Sequence, residues 1–135
     1  IRGAQATTAA IFMARQGKSQ DDIRKYINDN YYKLNFTVEE IRPHYQFNET
    51  CMETVPQAIE AFLESSDFEN AIRLAVSLGG DSDTLAAITG SIAEAFYGVP
   101  PEIEKKAISY LDSNLAKLYQ EWKTFQASRA PYLVK

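Results

Sequence analysis

A chain of 135 residues with 45% apolar and 24% charged residues has the size and balance of one ordinary globular domain, which excludes disorder and fibrous architectures. Its formal net charge of −4 comes without a basic stripe, which argues against a nucleic-acid partner held through phosphates, and no apolar run approaches the roughly 20 residues of a membrane span. A single cysteine, Cys51, and a single histidine, His44, exclude an intrachain disulfide and a Cys/His metal cluster, and a reducing, cytoplasmic setting is the simplest expectation.

Apolar residues recur at helical spacing almost throughout, so the pattern predicts an all-α fold. A first helix is expected from about Gly3 to Arg15, apolar at Ile11, Phe12 and Met13, ending at Gly17. Ser19-Gln20-Asp21-Asp22 reads as an N-cap with acid three residues on, opening a helix to about Asn30 with Ile23, Tyr26 and Ile27 inward. Tyr31 to Asn35 is a loop, Thr37 opens a short helical turn that Pro43 interrupts, and the stretch from Arg42 to Met52 shows no period. Thr54-Val55-Pro56 then reads as an N-cap with proline in the first turn, leading a helix through Ala58, Ile59, Phe62 and Leu63. Asp67 caps the next helix, which ends at Gly79-Gly80. Small residues crowd the helix from Thr84 to Tyr97 and predict a central, closely packed element. Gly98 closes it, Pro100-Pro101 opens a helix with Ile103, Ala107, Ile108 and Leu111 inward, and a last helix holds Leu115, Leu118, Tyr119 and Trp122. The expected domain covers residues 1–127, with 128–135 a frayed tail.

Between two of these helices lies Gly79-Gly80-Asp81-Ser82-Asp83-Thr84. Glycines let the backbone turn at positive φ and approach a ligand closely, and the first free N–H groups of the following helix favour an anion. Asp81, Asp83 and Thr84 offer oxygen ligands of the kind that suit Mg²⁺ or Mn²⁺ rather than zinc. Mg²⁺ takes about six oxygens, so three side chains leave positions for water, substrate or other segments. The competing reading is structural, since Asp and Thr beside glycine are ordinary capping and turn residues. A calcium EF-hand loop is excluded, because Ala86 and Ile92 stand where glycine and glutamate are required. An Asp-x-Asp phosphatase motif at a strand end is excluded by the helical pattern of Ala71 to Leu78.

The stretches Glu53 to Ser65 and Asp67 to Gly98, together with the opening Gly3 to Gly17, closely resemble the ADP-ribosylglycohydrolase family, of the dinitrogenase reductase-activating type. The resemblance implies an orthogonally packed all-α fold and a binuclear Mg²⁺ centre that supports removal of ADP-ribose from modified proteins or related conjugates, by hydrolysis of an N- or O-glycosyl bond at the ribose anomeric carbon. It implies that Asp81, Asp83 and Thr84 are metal ligands and that Gly79, Gly80 and Ser82 lie beside bound ADP-ribose. Members also carry a Thr-Asp-Asp-type motif and a catalytic glutamate in an N-terminal half that has no counterpart here, and Gln20-Asp21-Asp22 is no substitute because Ser19 frames it as a cap. With no Met before Ile1, the chain reads as the C-terminal portion of such an enzyme, holding half of the metal site and turning over little by itself. The expected partners are an ADP-ribosylated protein or small conjugate, and either the missing N-terminal segment or a second copy. The rival class is a non-catalytic ADP-ribose-binding or helical protein-interaction module.

The remaining candidates have structural readings that compete. His44 in the irregular stretch is a ligand contact or a hydrogen-bonded loop histidine. Tyr31, Tyr32 and Phe36 stack on a base or, the preferred reading, pack between helices. Cys51 is expected to be small and at least half-buried, and Glu49 and Glu53 to lie on the surface unless one serves as a general base.

Overall fold

The computed structural model describes residues 1–129, which form α1 (Arg2–Arg15), α2 (Gln20–Asn30), α3 (Val38–Ile41), α4 (Val55–Leu63), α5 (Phe68–Ser77), α6 (Ser82–Tyr97), α7 (Pro101–Ile108) and α8 (Ser113–Arg129), with no strand among them. The all-α expectation is met. The chain divides into two compact units, one from Ile1 to Gly98 and one from Val99 onward.

In the first unit the helix starts follow the expected chemistry. Ser19 and Asp22 make a reciprocal capping box, Thr37 and Glu40 make another, and the Asp67 carboxylate accepts the Asn70 N–H at 2.8 Å. Thr54 departs from the expectation. It stands at the start of α4, but its hydroxyl donates to the Asn48 carbonyl at 3.2 Å instead of accepting from the helix, and Pro56 in the first turn removes one donor that would need capping.

The long α6 packs against α1, α4 and α5, as its small residues predict. At Gly90 an added Cβ would stand 3.0 Å from Ile72 Cδ1, so α5 and α6 approach closely there. α1 presents Ala6, Ala10 and Ala14 to the core at four-residue spacing and leaves Phe12 exposed. One cluster gathers Ile23 and Ile27 of α2, Ile59 and Phe62 of α4, and Ile92 and Ala93 of α6; Phe62 meets Phe96 edge-on at 5.3 Å. A second cluster gathers Val38, Ala58, Ala61, Ala75, Leu78 and Leu85, and so underlies the chain on either side of Gly79-Gly80. Tyr26 is not inward. Ile23 and Ile27 define the buried stripe of α2, position 26 falls on its flank, and the ring is exposed and tilted against Tyr31 at 6.1 Å.

Buried polar groups tie these helices together. The Thr89 hydroxyl of α6 donates to the Ala58 carbonyl of α4 at 2.8 Å, and the Gln20 amide lies 3.0 Å from the Phe62 and Ser65 carbonyls and the Tyr97 hydroxyl. Glu60, buried in α4, pairs with Arg24 of α2 at 2.7 Å. Burial drives the Glu60 carboxyl above its ordinary range, against the pull of Arg24 and with help from the neighbouring Glu64.

The second unit is a pair of helices joined by a turn in which the Asp112 carboxylate accepts the Asn114 and Leu115 N–H groups at 2.8 and 2.9 Å. Glu104 of α7 accepts from the Tyr119 hydroxyl and from Lys123 of α8. Two helices share one interface, and the half-buried positions along them are Ile103, Glu104, Ile108, Ala116, Tyr119 and Gln126. Ala107 and Leu111, expected inward, are therefore exposed, as are Leu115, Leu118 and Trp122. α8 remains helical through Ser128 to Arg129, and the rest of the expected frayed tail, 130–135, lies outside the described residues. No helix among the described residues is long and apolar enough to cross a membrane.

Candidate metal centre

α5 ends at Ser77 with Leu78 as its C-cap, and the chain turns through Gly79 at φ +73° and Gly80 at φ +60°. Both conformations lie in the left-handed region that side-chain-bearing residues enter at a cost. At Gly80 there is a second reason for glycine. An added Cβ would stand 3.0 Å from Tyr45 Cε1, 3.1 Å from the Phe47 nitrogen and 3.2 Å from the Gln46 carbonyl carbon, whereas at Gly79 nothing lies within 4 Å. The turn therefore presses against the irregular stretch after α3.

α6 starts at Ser82, two residues earlier than the spacing predicts, so Asp81 occupies the N-cap and Asp83 the first turn. The structural reading requires the Asp81 carboxylate to accept from the first-turn N–H groups. It does not: Asp81 makes no side-chain capping bond, in contrast to Ser19, Thr37 and Asp67. The Asp83 carboxyl is held below its ordinary range first by hydrogen-bonding contact with the Asp81 carboxyl, then by the backbone N–H groups of Thr84 and of Asp83 itself. The two side chains thus meet at the N-terminus of a 16-residue helix. Hard oxygen donors gathered in this way at a helix N-terminus are a setting that a divalent cation can share. Thr84, one position on, is exposed, and Ser82 is half-buried.

Among the described residues no three His, Cys, Asp or Glu side chains converge on a metal-sized site. Two carboxylates and a hydroxyl, all hard oxygen donors, fit a partial coordination shell for Mg²⁺ or Mn²⁺ and do not fit a closed structural site. Glu53 and Glu49 are both exposed and do not complete it. The Glu53 carboxylate accepts from the Asn48 amide, and its backbone carbonyl accepts from the Tyr45 hydroxyl at 2.7 Å. His44 is exposed and lines a groove of about 450 Å³ with Tyr45, Asn48, Glu53 and Gln57, in whose wall the Gln57 Oε1 is buried without a donor.

Tyr31, Tyr32 and Phe36 are half-buried against the first core cluster, so the packing reading holds for them. Cys51 is exposed, contrary to expectation, because it sits in the turn leading into α4, beside Gly3. Sequence reasoning missed the contact of Tyr45, Gln46 and Phe47 with Gly80. Two aromatics in a stretch without helical period, 35 and 33 residues before Gly80, carry no signal of where they fold back.

A model of the ADP-ribosylglycohydrolase family matches residues 1–129. The chain is 42% identical over 74 residues to ADP-ribosylarginine hydrolase Tri1 of Pseudomonas putida (strain GB-1), a match covering 52% of this chain and 19% of that protein. It is 34% identical over 68 residues to ADP-ribosylhydrolase ARH3 of Homo sapiens, covering 48% of this chain and 18% of that protein. The matched stretch thus spans about a fifth of the length of these curated relatives. No solved structure matches the chain.

Proposed function

Because the chain belongs to the ADP-ribosylglycohydrolase family, we propose that it carries part of the metal site of a Mg²⁺-dependent hydrolase that removes ADP-ribose from modified proteins or related conjugates. The observation that supports this reading most is the pair Asp81 and Asp83: the first leaves its capping role unfilled and stands against the second. Asp81, Asp83 and Thr84 would hold the cation, with Mn²⁺ an alternative to Mg²⁺. A bound divalent ion supplies charge to orient an anionic substrate and to activate water or the leaving oxygen. The chain's own contribution is the turn at Gly79-Gly80, open where a Gly79 side chain would stand, with Ser82 and the first N–H groups of α6 beside the anion.

A second metal motif and a catalytic glutamate come, in this reading, from residues outside these 135, so the chain alone binds Mg²⁺ weakly and turns over little. The name of the Pseudomonas putida relative favours an arginine-linked bond. The test is Mg²⁺-dependent release of ADP-ribose from a modified arginine peptide by a polypeptide of the relatives' full length that contains this segment. The expected result is turnover that Asp83→Ala abolishes and that the 135-residue chain alone lacks. Turnover insensitive to chelation or to Asp83→Ala would overturn the proposal, as would tight Mg²⁺ binding by the short chain.

A second reading, a non-catalytic ADP-ribose-binding or helical interaction module, draws support from α8, where Leu115, Leu118 and Trp122 stand 50%, 61% and 52% exposed at three- and four-residue spacing. A module of that kind keeps its partner when Asp83 is replaced, and sedimentation of the wild-type chain reads its self-association directly.

A further inference from the structure

We propose that Tyr45 is a positioning residue for the Asp81/Asp83 pair: through the strap it anchors, residues 45–48, it fixes the Gly79-Gly80 turn and so sets the divalent-cation affinity of a site it does not itself ligate. The inference rests on the cation reading of Asp81 and Asp83 given above.

The strap is held at several points. The Tyr45 hydroxyl donates to the Glu53 carbonyl at 2.7 Å, the Thr54 hydroxyl donates to the Asn48 carbonyl at 3.2 Å, and the Asn48 side chain accepts the Thr50 N–H at 2.7 Å and donates to the Glu53 carboxylate. These bonds join the strap to the turn that opens α4. On its other flank, Arg42 Nε donates to the Ser77 hydroxyl at 3.1 Å, which joins the chain just before the strap to the last turn of α5. The Tyr45 ring packs on the cluster formed by Leu78, Leu85 and their neighbours. Leu78 and Leu85 are the core residues immediately before and after the motif, so the ring rests on the floor of the turn.

From that position the strap presses on Gly80 from one side, with the Tyr45 ring, the Gln46 carbonyl carbon and the Phe47 nitrogen all within 3.2 Å of where a Cβ would be. Gly80 is the residue immediately before Asp81. Asp81 is half-buried and has no capping bond of its own to fix its side chain. Apart from its contact with Asp83, what sets its direction is the backbone it hangs from, and that backbone is clamped between α6 and the strap. Outer residues that orient metal ligands commonly govern affinity as strongly as this arrangement requires.

The experiment uses the full 135-residue chain and Mn²⁺ as the probe, read by paramagnetic broadening of ¹H–¹⁵N amide signals, which registers weak binding and where it occurs. Tyr45→Phe removes only the O–H that latches the strap, and Tyr45→Ala also removes the ring. Tyr97→Phe is the control: its hydroxyl likewise donates to a backbone carbonyl, that of Ser65 at 2.7 Å, away from the motif. The expected result is Mn²⁺ binding at the Ser82 to Thr84 amides weakened about 5-fold in Tyr45→Phe and about 10-fold or more in Tyr45→Ala. Tyr97→Phe should leave it within about 2-fold of wild type while lowering thermal stability as much as Tyr45→Phe does. In the metal-free state, the Gly80 and Asp81 amide signals should move in both Tyr45 variants and stay in Tyr97→Phe. Equal effects of Tyr45→Phe and Tyr97→Phe on Mn²⁺ binding, or unmoved Gly80 and Asp81 signals in Tyr45→Ala, would overturn the proposal. Wild-type chain that shows no Mn²⁺ broadening at these amides would overturn the cation reading and the affinity half of this inference, whereas the metal-free signals decide the positioning half by themselves.

Discussion

Replacing Gly80 by alanine isolates the contact on which the candidate site is built. Four glycines of the first unit have positive φ, Gly17 at +69°, Gly79 at +73°, Gly80 at +60° and Gly98 at +76°, but among them only Gly80 has neighbours within 4 Å of where a Cβ would stand. Gly17→Ala and Gly79→Ala should therefore report the left-handed penalty alone, about 1–2 kcal/mol each. Gly80→Ala carries the same penalty plus an overpacking cost. Its Cβ would meet a tyrosine ring at 3.0 Å and backbone at 3.1 Å, and backbone cannot swing aside as a flexible side chain can. Overpacking of this kind costs about 1–3 kcal/mol, so the total should reach about 2–5 kcal/mol. Urea unfolding followed by far-UV circular dichroism reads the difference; Trp122 fluorescence does not serve, because Trp122 belongs to the second unit. Gly80→Ala no worse than Gly79→Ala would refute the packing of the strap on the turn, and with it the positioning role given to Tyr45.

Arg24→Ala should cost about 3 kcal/mol at neutral pH, since it strands the buried Glu60 carboxylate, and part of that loss should return on acidification. The sign follows from the raised Glu60 carboxyl: the folded state binds a proton more tightly than the unfolded chain, so this group's contribution to stability is full below the ordinary carboxylate value and fades as pH rises through the folded one. Urea midpoints at several pH values check it, and a loss that grows as pH falls would contradict it. Thr89→Val should lower stability by about 1–2 kcal/mol, because the Ala58 carbonyl loses its buried donor, and calorimetric melting measures that loss. Asp83→Asn should abolish Mn²⁺ broadening at the motif yet shift the urea midpoint less than Gly80→Ala, as expected of an exposed side chain whose role is binding.

How far the sequence foretold this molecule depended on how local each determinant is. Ser19, Thr37 and Asp67 act on backbone three residues away, and each caps as its spacing predicts. The small residues of α6 announced close packing, and Gly90 against Ile72 is where it is closest. The motif itself was legible as oxygen chemistry on a glycine turn. Its rivalry with simple capping turns on what the Asp81 side chain does, and the segment that packs on the turn beside it, Tyr45 to Phe47, comes from over 30 residues upstream. The same limit applies to Leu111, Leu115, Leu118 and Trp122: helical spacing marks an apolar stripe but cannot say which neighbour covers it. Thr54 shows a subtler case, since a residue in capping position gave its hydroxyl to the strap instead.

The central claim is that Asp81, Asp83 and Thr84 hold a divalent cation. Crystals of the chain soaked in Mn²⁺ and recorded at the manganese absorption edge test it most directly. An anomalous peak about 2.0–2.3 Å from carboxylate oxygens of Asp81 and Asp83 and from the Thr84 hydroxyl is the result predicted. A map with no peak there at saturating Mn²⁺, and with the two carboxylates turned onto the N–H groups of α6 instead, would contradict it.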